Sequence, residues 1–251
     1  MIIDKPRPEH IRNLRQLWQE AFGDTDAFLD TFFDTAFSPE RCFCVLDRDV
    51  PVSVVYWFDC ACREKKIAYL YAVATDIRYR GQGLCRQLME HTHAHLKQLG
   101  YAGAILVPGS RELFRFYEKL DYRTCVFARE DFCTPGNTPA RLENLNPQDY
   151  ARLRRTYLPE GSVVQEEENL AFLQTQVQFY KGSNFLLAAF RQGTNLYAPE
   201  LLGNRASMGD ILCALGCTEG TFRGPGGDIP FAMYLPFTCD AAPNWFGFAF
   251  N

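Results

Sequence analysis

Residues 78–89 read RYRGQGLCRQLM. Two arginines flank a tyrosine, two glycines stand one residue apart, and the spacing that follows predicts a helix over 83–99 that stops at Gly100. Glycine reaches left-handed backbone angles without penalty and lets a ligand approach the main chain closely. The first amides of a helix lack intrahelical partners and carry the positive end of its dipole, so a glycine turn there suits an anion. Taken alone, the two glycines are equally well explained by a tight turn between a strand and a helix. The dinucleotide fingerprint G-x-G-x-x-G fails because position 86 is Arg, and no G-x-x-x-x-G-K-[ST] string is present.

The flanking sequence narrows the choice. RCFCVLD (41–47), VPVSVVYWFDCACR (50–63) and KKIAYLYAVATD (65–76) are apolar runs rich in strand formers, and they predict three antiparallel strands with a hairpin at Asp47-Arg48-Asp49. On helix 83–99, Leu84, Leu88, Thr92, Leu96 and Leu99 share one face, with Arg86, Glu90, His93 and Lys97 opposite. AGAILVP (102–108) reads as a short buried strand, and RELFRFYEKL (111–120) as a helix capped by Ser110. Strand, glycine turn, helix, strand is a βαβ unit, with the turn where such units bind phosphates.

The string Arg78-Tyr79-Arg80-Gly81-Gln82-Gly83, preceded by VAT (73–75) and followed about 25 residues later by RFYEKLDY (115–122), resembles the signatures of the GNAT family, the GCN5-related N-acetyltransferases. The resemblance spans about residues 1–130 and implies an α/β acyl-CoA N-acyltransferase fold with a mixed sheet. It implies an enzyme that moves an acetyl group from acetyl-CoA directly to a primary amine of a small molecule or peptide. A non-catalytic acyl-CoA sensor of the same fold is the alternative. On this resemblance the amides of 80–85 take the pyrophosphate, and Arg78, Arg80, Gly81, Gln82, Gly83, Leu84 and Cys85 form the cradle. Val73, Ala74 and Thr75 hold the thioester and pantetheine arm, Ser110 stands where members often carry Asn, and Tyr117 matches the general acid. Asp121 stands where members usually have Gly; Asp tolerates the left-handed conformation, so the helix end survives.

The base that receives the amine proton is open among Asp59, Asp76, Tyr69 and Tyr71, or a water chain. In HTHAH (91–95) only His91 and His95 share a helix face, and they read as boundary residues; no metal site is expected. Ten cysteines include the pairs Cys42/Cys44 and Cys60/Cys62 but no C-x-x-C, which predicts free, mostly buried thiols.

The chain has 251 residues, 47% of them hydrophobic, which is enough for a substantial core. A net charge of −4 gives no basic footprint, so nucleic-acid binding is not expected. No apolar run reaches ~20 residues and MIIDKPRPEH lacks a signal-peptide core, so the expectation is a cytoplasmic protein without a membrane partner, monomeric or homodimeric. PEHIRNLR (8–15) and FLDTFF (28–33) recur as PQDYARLR (147–154) and FLQTQV (172–177), each pair ahead of a strand-like run. This predicts two domains, 1–134 and 135–251, with the turn-rich CTPGNTPARLENLNPQDY (133–150) at the junction. The second is expected to be a degenerate GNAT-like domain without the cradle, its glycine cluster RGPGGD (223–228) being a break between elements and its end, WFGFAFN (245–251), a final buried strand. The VAT-x-x-x-x-RGxG wording is similar to the enhanced-intracellular-survival-like branch, but this length leaves no room for that branch's sterol-carrier-like domain.

Overall fold

The computed structural model describes residues 1–165 and 168–248. The chain forms two compact units. Unit one contains Met1–Leu106, Ser110–Arg123 and Tyr234–Ala241; unit two contains Val107–Gly109, Thr124–Met233 and the segment from Ala242 onward. The units therefore part at Arg123/Thr124, whereas the sequence placed the boundary near 135.

Unit one runs β1 (Ile2–Asp4), α1 (Ile11–Phe22), α2 (Asp26–Thr35), β2 (Cys42–Asp47), β3 (Val50–Cys62), β4 (Lys65–Thr75), α3 (Leu84–Gln98), β5 (Gly103–Leu106) and α4 (Arg111–Glu118). Its sheet has the order β1-β2-β3-β4-β5, antiparallel except for the parallel pair β4–β5. The β2–β3 hairpin turns at Arg48 and Asp49, both at positive φ, as the DRD turn requires. Gly100 (φ 78°) and Asp121 (φ 65°) take the left-handed positions foreseen for them.

α1 buries Leu14, Leu17 and Trp18, one stripe at helical spacing. The Trp18 ring lies 4.6 Å from Phe32, 5.3 Å from Tyr56 and 5.5 Å from Tyr71, so one indole joins α1 to α2, β3 and β4. Its N–H donates to Asp24 at 2.8 Å, which fixes the loop between the helices.

One expected surface residue is in the core. His93 is buried, shares a hydrogen bond of 2.8 Å with the Tyr122 hydroxyl, and lies 5.8 Å from the Phe237 ring. Phe237 comes from a distant segment of the chain, so helix periodicity alone puts His93 on the polar face. Burial, with Lys97 adding to it, pulls the imidazole down to about 4. In the unfolded chain it titrates near 6.5. Between these values the unfolded state takes up a proton that the folded state refuses. Stability from this group is thus full above pH 6.5 and falls by about 3 kcal/mol on going to pH 4. Denaturant unfolding of His93→Gln across that range is expected to lack this part of the slope.

Unit two contains β6 (Arg123–Cys133, from Thr124), β7 (Glu143–Leu145), α5 (Pro147–Tyr157), α6 (Glu168–Gln174), β8 (Gln178–Lys181), β9 (Phe185–Gln192), β10 (Asn195–Gly203), α7 (Met208–Leu215), β11 (Glu219–Pro225) and β12 (Ile229–Pro236, up to Met233). The order β6-β11-β10-β9-β8-β7 contains one parallel pair, β10–β11. Strand, two helices, three strands, helix and parallel strand thus succeed one another in both units.

Two expectations for this unit change. Arg223–Pro225 of RGPGGD finish β11 instead of breaking it. Trp245–Phe248 is not a ladder strand: Trp245 makes an isolated parallel bridge with Ser162, while the Trp245, Phe246 and Phe248 side chains are fully buried. Residues 249–251 of the expected strand lie outside the described residues.

Candidate active site

β4 and β5 pair only at Ala68↔Ala104 and Tyr69↔Ile105. β4 then runs on to Thr75, so the edge that contains Val73, Ala74 and Thr75 has no β5 residue opposite it. Within this stretch β4 carries a bulge. Tyr71 faces Tyr56 and Ala74 faces Val54, so Ala72 and Val73 oppose the single residue Val55. Ala72 takes a φ of 48°, a left-handed angle that costs an L-residue with a Cβ about 1–2 kcal/mol. No sequence signal marks Ala72, because alanine is not a residue that favours this conformation. The Ser53 hydroxyl is fully buried beneath the strand end; it bonds the Ala74 carbonyl at 3.0 Å and the Thr75 hydroxyl at 2.8 Å.

The chain leaves β4 through Asp76, whose carboxylate accepts from the Arg78 amide at 2.9 Å and caps a 3-10 turn over Ile77–Tyr79. Gly81 (φ 76°) and Gly83 (φ 79°) follow, both left-handed, as the sequence required. A Cβ on Gly81 would meet nothing within 4 Å, and one on Gly83 only the Gln87 side chain at 3.9 Å. Gly83 caps α3 with no side-chain bond. Among the described residues, the N–H groups of residues 81–86 have no protein partner. Six consecutive free donors at a helix start form a concave cradle for an anion. Leu84 roots the helix in the core, while its amide stays in the row.

Both arginines of the motif are engaged by protein groups. Arg78 closes onto Asp76, with Nη2 2.6 Å from Oδ2 and Nε 3.1 Å from Oδ1. Arg80 donates from Nε to the Thr75 carbonyl at 3.0 Å, and Gln82 donates to the Arg78 carbonyl at 3.3 Å. A cleft of about 500 Å³ opens between α1, at Gln16 and Glu20, and the turn, at Thr75, Asp76, Arg78 and Arg80.

The Tyr117 ring is buried against Tyr122 (5.8 Å) and Phe116 (5.2 Å). Among the described residues its hydroxyl has no protein hydrogen-bond partner. Burial and the nearby Cys85 thiol push this phenol well above its ordinary value, so it stays protonated at neutral pH. Burial likewise pushes the Cys85 thiol up to about 11, which keeps a negative charge out of the cradle. Arg86 Nη2 donates to the Lys119 carbonyl at 3.2 Å and so ties the first turn of α3 to the end of α4. The Ser110 hydroxyl caps its own helix by accepting from the Leu113 amide at 3.4 Å, and it makes no contact with the cradle residues among the bonds described.

Of the candidate bases, Tyr69 and Tyr71 pack together, their rings 5.7 Å apart, while Asp59 and Asp76 lie apart from each other. Asp59 accepts from the Tyr101 hydroxyl, lies 2.9 Å from Lys66 Nζ, and pairs with Ala68 at the other end of β4 from Thr75. Arg78 holds the Asp76 carboxyl below its ordinary value. Burial raises Tyr71 far above its own, with Tyr69 adding to the shift. His91 and His95 set their rings edge-on against Phe43 at 4.8 and 5.0 Å. Among the described residues, no three His, Cys, Asp or Glu side chains gather to hold a metal. No helix there is long and apolar enough to cross a membrane.

Residues 3–125 match the Acetyltransferase (GNAT) domain. They form a GNAT acetyltransferase domain. GNAT family members use acetyl-CoA, and the residues present suit that ligand: a row of free amides for the pyrophosphate and an open strand edge for the arm. The fold is shared with a probable N-acyltransferase from Enterococcus faecalis V583 (16% identity, TM-score 0.69, covering 94% of this chain and 72% of that one). It is shared too with GCN5-related N-acetyltransferases from Kribbella flavida (14%, 0.71, 93% and 70%) and Anabaena variabilis (13%, 0.73, 93% and 72%). No curated protein matches the chain by sequence. The GNAT domain makes this protein an acetyltransferase.

Proposed function

We propose that the GNAT domain transfers acetyl from acetyl-CoA to a primary amine in one direct step. The observation that carries this reading is the row of unpartnered amides from Gly81 to Arg86, which leads away from the open edge Val73–Thr75. The pyrophosphate sits on the amides, and the free guanidinium nitrogens of Arg80 add charge beside it. The arm lies along Val73–Thr75, beside the Ala72 bulge, and a backbone donor at this strand end would stabilise the oxyanion that develops on the thioester. The amine enters from the cleft that Thr75 shares with α1. Its nitrogen attacks the carbonyl carbon, the C–S bond breaks, and the Tyr117 hydroxyl protonates the departing sulfur. The proton lost by nitrogen passes to water and restores Tyr117. Thiol release from acetyl-CoA over a panel of polyamines, amino acids and peptides tests the reading. Release that depends on one amine class is expected; binding without release from any of them favours the non-catalytic sensor.

We infer that unit two is a related domain that holds no donor. β10 bears the same two-against-one bulge, with Ala198 and Pro199 opposite Ala189, which aligns Glu200 with Ala74. Where Ala74 leaves room, the fully buried Glu200 is bonded by Arg154, Tyr150 and Trp245. The turn before α7 has no Gly-x-Gly, and segment 134–140 lies over the helix start, with the Gly136 amide on the Gly209 carbonyl at 2.8 Å. Both features support loss of the cradle.

A further inference from the structure

The resemblance gives Arg78 a place on the donor's phosphates. The geometry points elsewhere: we propose that Asp76 and Arg78 form a clamp that positions the glycine turn, with Arg78 acting through Asp76 and not on the phosphate. The inference rests on the donor site proposed above.

Asp76 is 7% exposed, and its own amide is fixed to the Val52 carbonyl at 2.9 Å, so the clamp hangs from β3. Its carboxylate receives three Arg78 groups: the backbone N–H at 2.9 Å, Nε at 3.1 and 3.2 Å, and Nη2 at 2.6 Å. The Nε–Nη2 edge meets both oxygens, the two-point geometry in which arginine and carboxylate fit best. Arg78 is thereby folded back on the turn at the very edge it would otherwise offer to a phosphate.

The turn is pinned at two further points. The Tyr79 hydroxyl donates to Asp47 at 2.8 Å, and Arg80 Nε to the Thr75 carbonyl at 3.0 Å. Beyond these points Gly81 touches nothing within 4 Å of its Cβ position, and glycine has the most conformational freedom to lose on ordering. The order needed at the cradle has to come from its flank, and the Asp76–Arg78 pair is the most tightly bonded part of that flank. A turn ordered before the donor arrives lowers the entropic cost of binding.

A double-mutant cycle on the full chain decides between the two roles, with acetyl-CoA as the probe and calorimetric Kd and steady-state kcat as readouts. If the pair is a clamp, Asp76→Asn and Arg78→Gln each weaken binding about tenfold, and the double variant is no weaker than either single one. Arg78→Lys, which keeps the charge and loses the fork, matches Arg78→Gln, and kcat at saturating donor stays within about twofold. If Arg78 contacts phosphate, Asp76→Asn leaves affinity unchanged or tighter, Arg78→Lys retains most of it, and the losses add; that result overturns the clamp. A wild-type chain that fails to bind acetyl-CoA overturns the donor site itself, an outcome distinct from additive losses.

Discussion

Tyr117→Phe is expected to lower kcat for thiol release by about 10²-fold or more while KM for acetyl-CoA stays within about twofold. The change removes one oxygen from a buried ring and leaves its packing against Phe116 and Tyr122 in place. That oxygen has no protein partner among the described residues, so no structural bond is lost with it. Its burial raises the phenol, which suits a group that must hold its proton until sulfur leaves. The effect therefore falls on the chemical step. Steady-state kinetics on the best amine of the panel makes the comparison. Unchanged kcat in the Phe variant removes Tyr117 from the acid's role.

The second large effect is on stability. Arg154→Met is expected to destabilise unit two by about 3–5 kcal/mol, a fall of about 12–19 °C in its unfolding midpoint. Arg154 lies in α5 and is 1% exposed. It holds Glu200 through Nε (2.7 Å) and Nη2 (2.9 Å), and its guanidinium carbon lies 4.7 Å from the Phe248 ring centre. Tyr150 and Trp245 fill the remaining positions on the carboxylate at 3.1 and 3.0 Å. Removing arginine alone strands a buried charge in this shell. Arg154→Met with Glu200→Leu removes both charges and is expected to recover much of the loss, because well-packed apolar replacements of a buried pair are often neutral. Thermal unfolding of the two variants makes the test, and a single variant as stable as the parent contradicts it.

Much of unit one is legible in its sequence because its strands are uninterrupted apolar runs and its turns contain residues made for positive φ. The runs at 42–47, 50–62 and 65–75 could hardly be anything but strands, and Gly81, Gly83, Gly100 and Asp121 lie where left-handed angles are needed. β6 is harder to read, since ARED at 128–131 looks like a solvated turn. Its charges are paired with groups far along the chain, Asp131 with Arg205 and Glu130 with Arg223. Those pairings also draw the strand into unit two and move the division away from 135. At the site, the glycine turn ahead of α3 is legible in the sequence. The Ala72 bulge is not, since it arises from the register of β4 against β3. Aspartate is a residue type for the base's task, while the capping geometry of Asp76 makes it a holder of Arg78. Helix spacing alone puts His93 on the polar face because Phe237, which covers it, lies far along the chain.

On the reading proposed above, the chain binds one acetyl-CoA, on the glycine turn of the GNAT domain. Calorimetric titration of the full chain with acetyl-CoA tests it most directly, alongside Gly83→Val, which forces a branched side chain onto a φ of 79° and over the amides. One equivalent bound per chain is expected, with a loss of at least about tenfold in the variant. Two equivalents per chain, no binding, or equal affinity in Gly83→Val would contradict it.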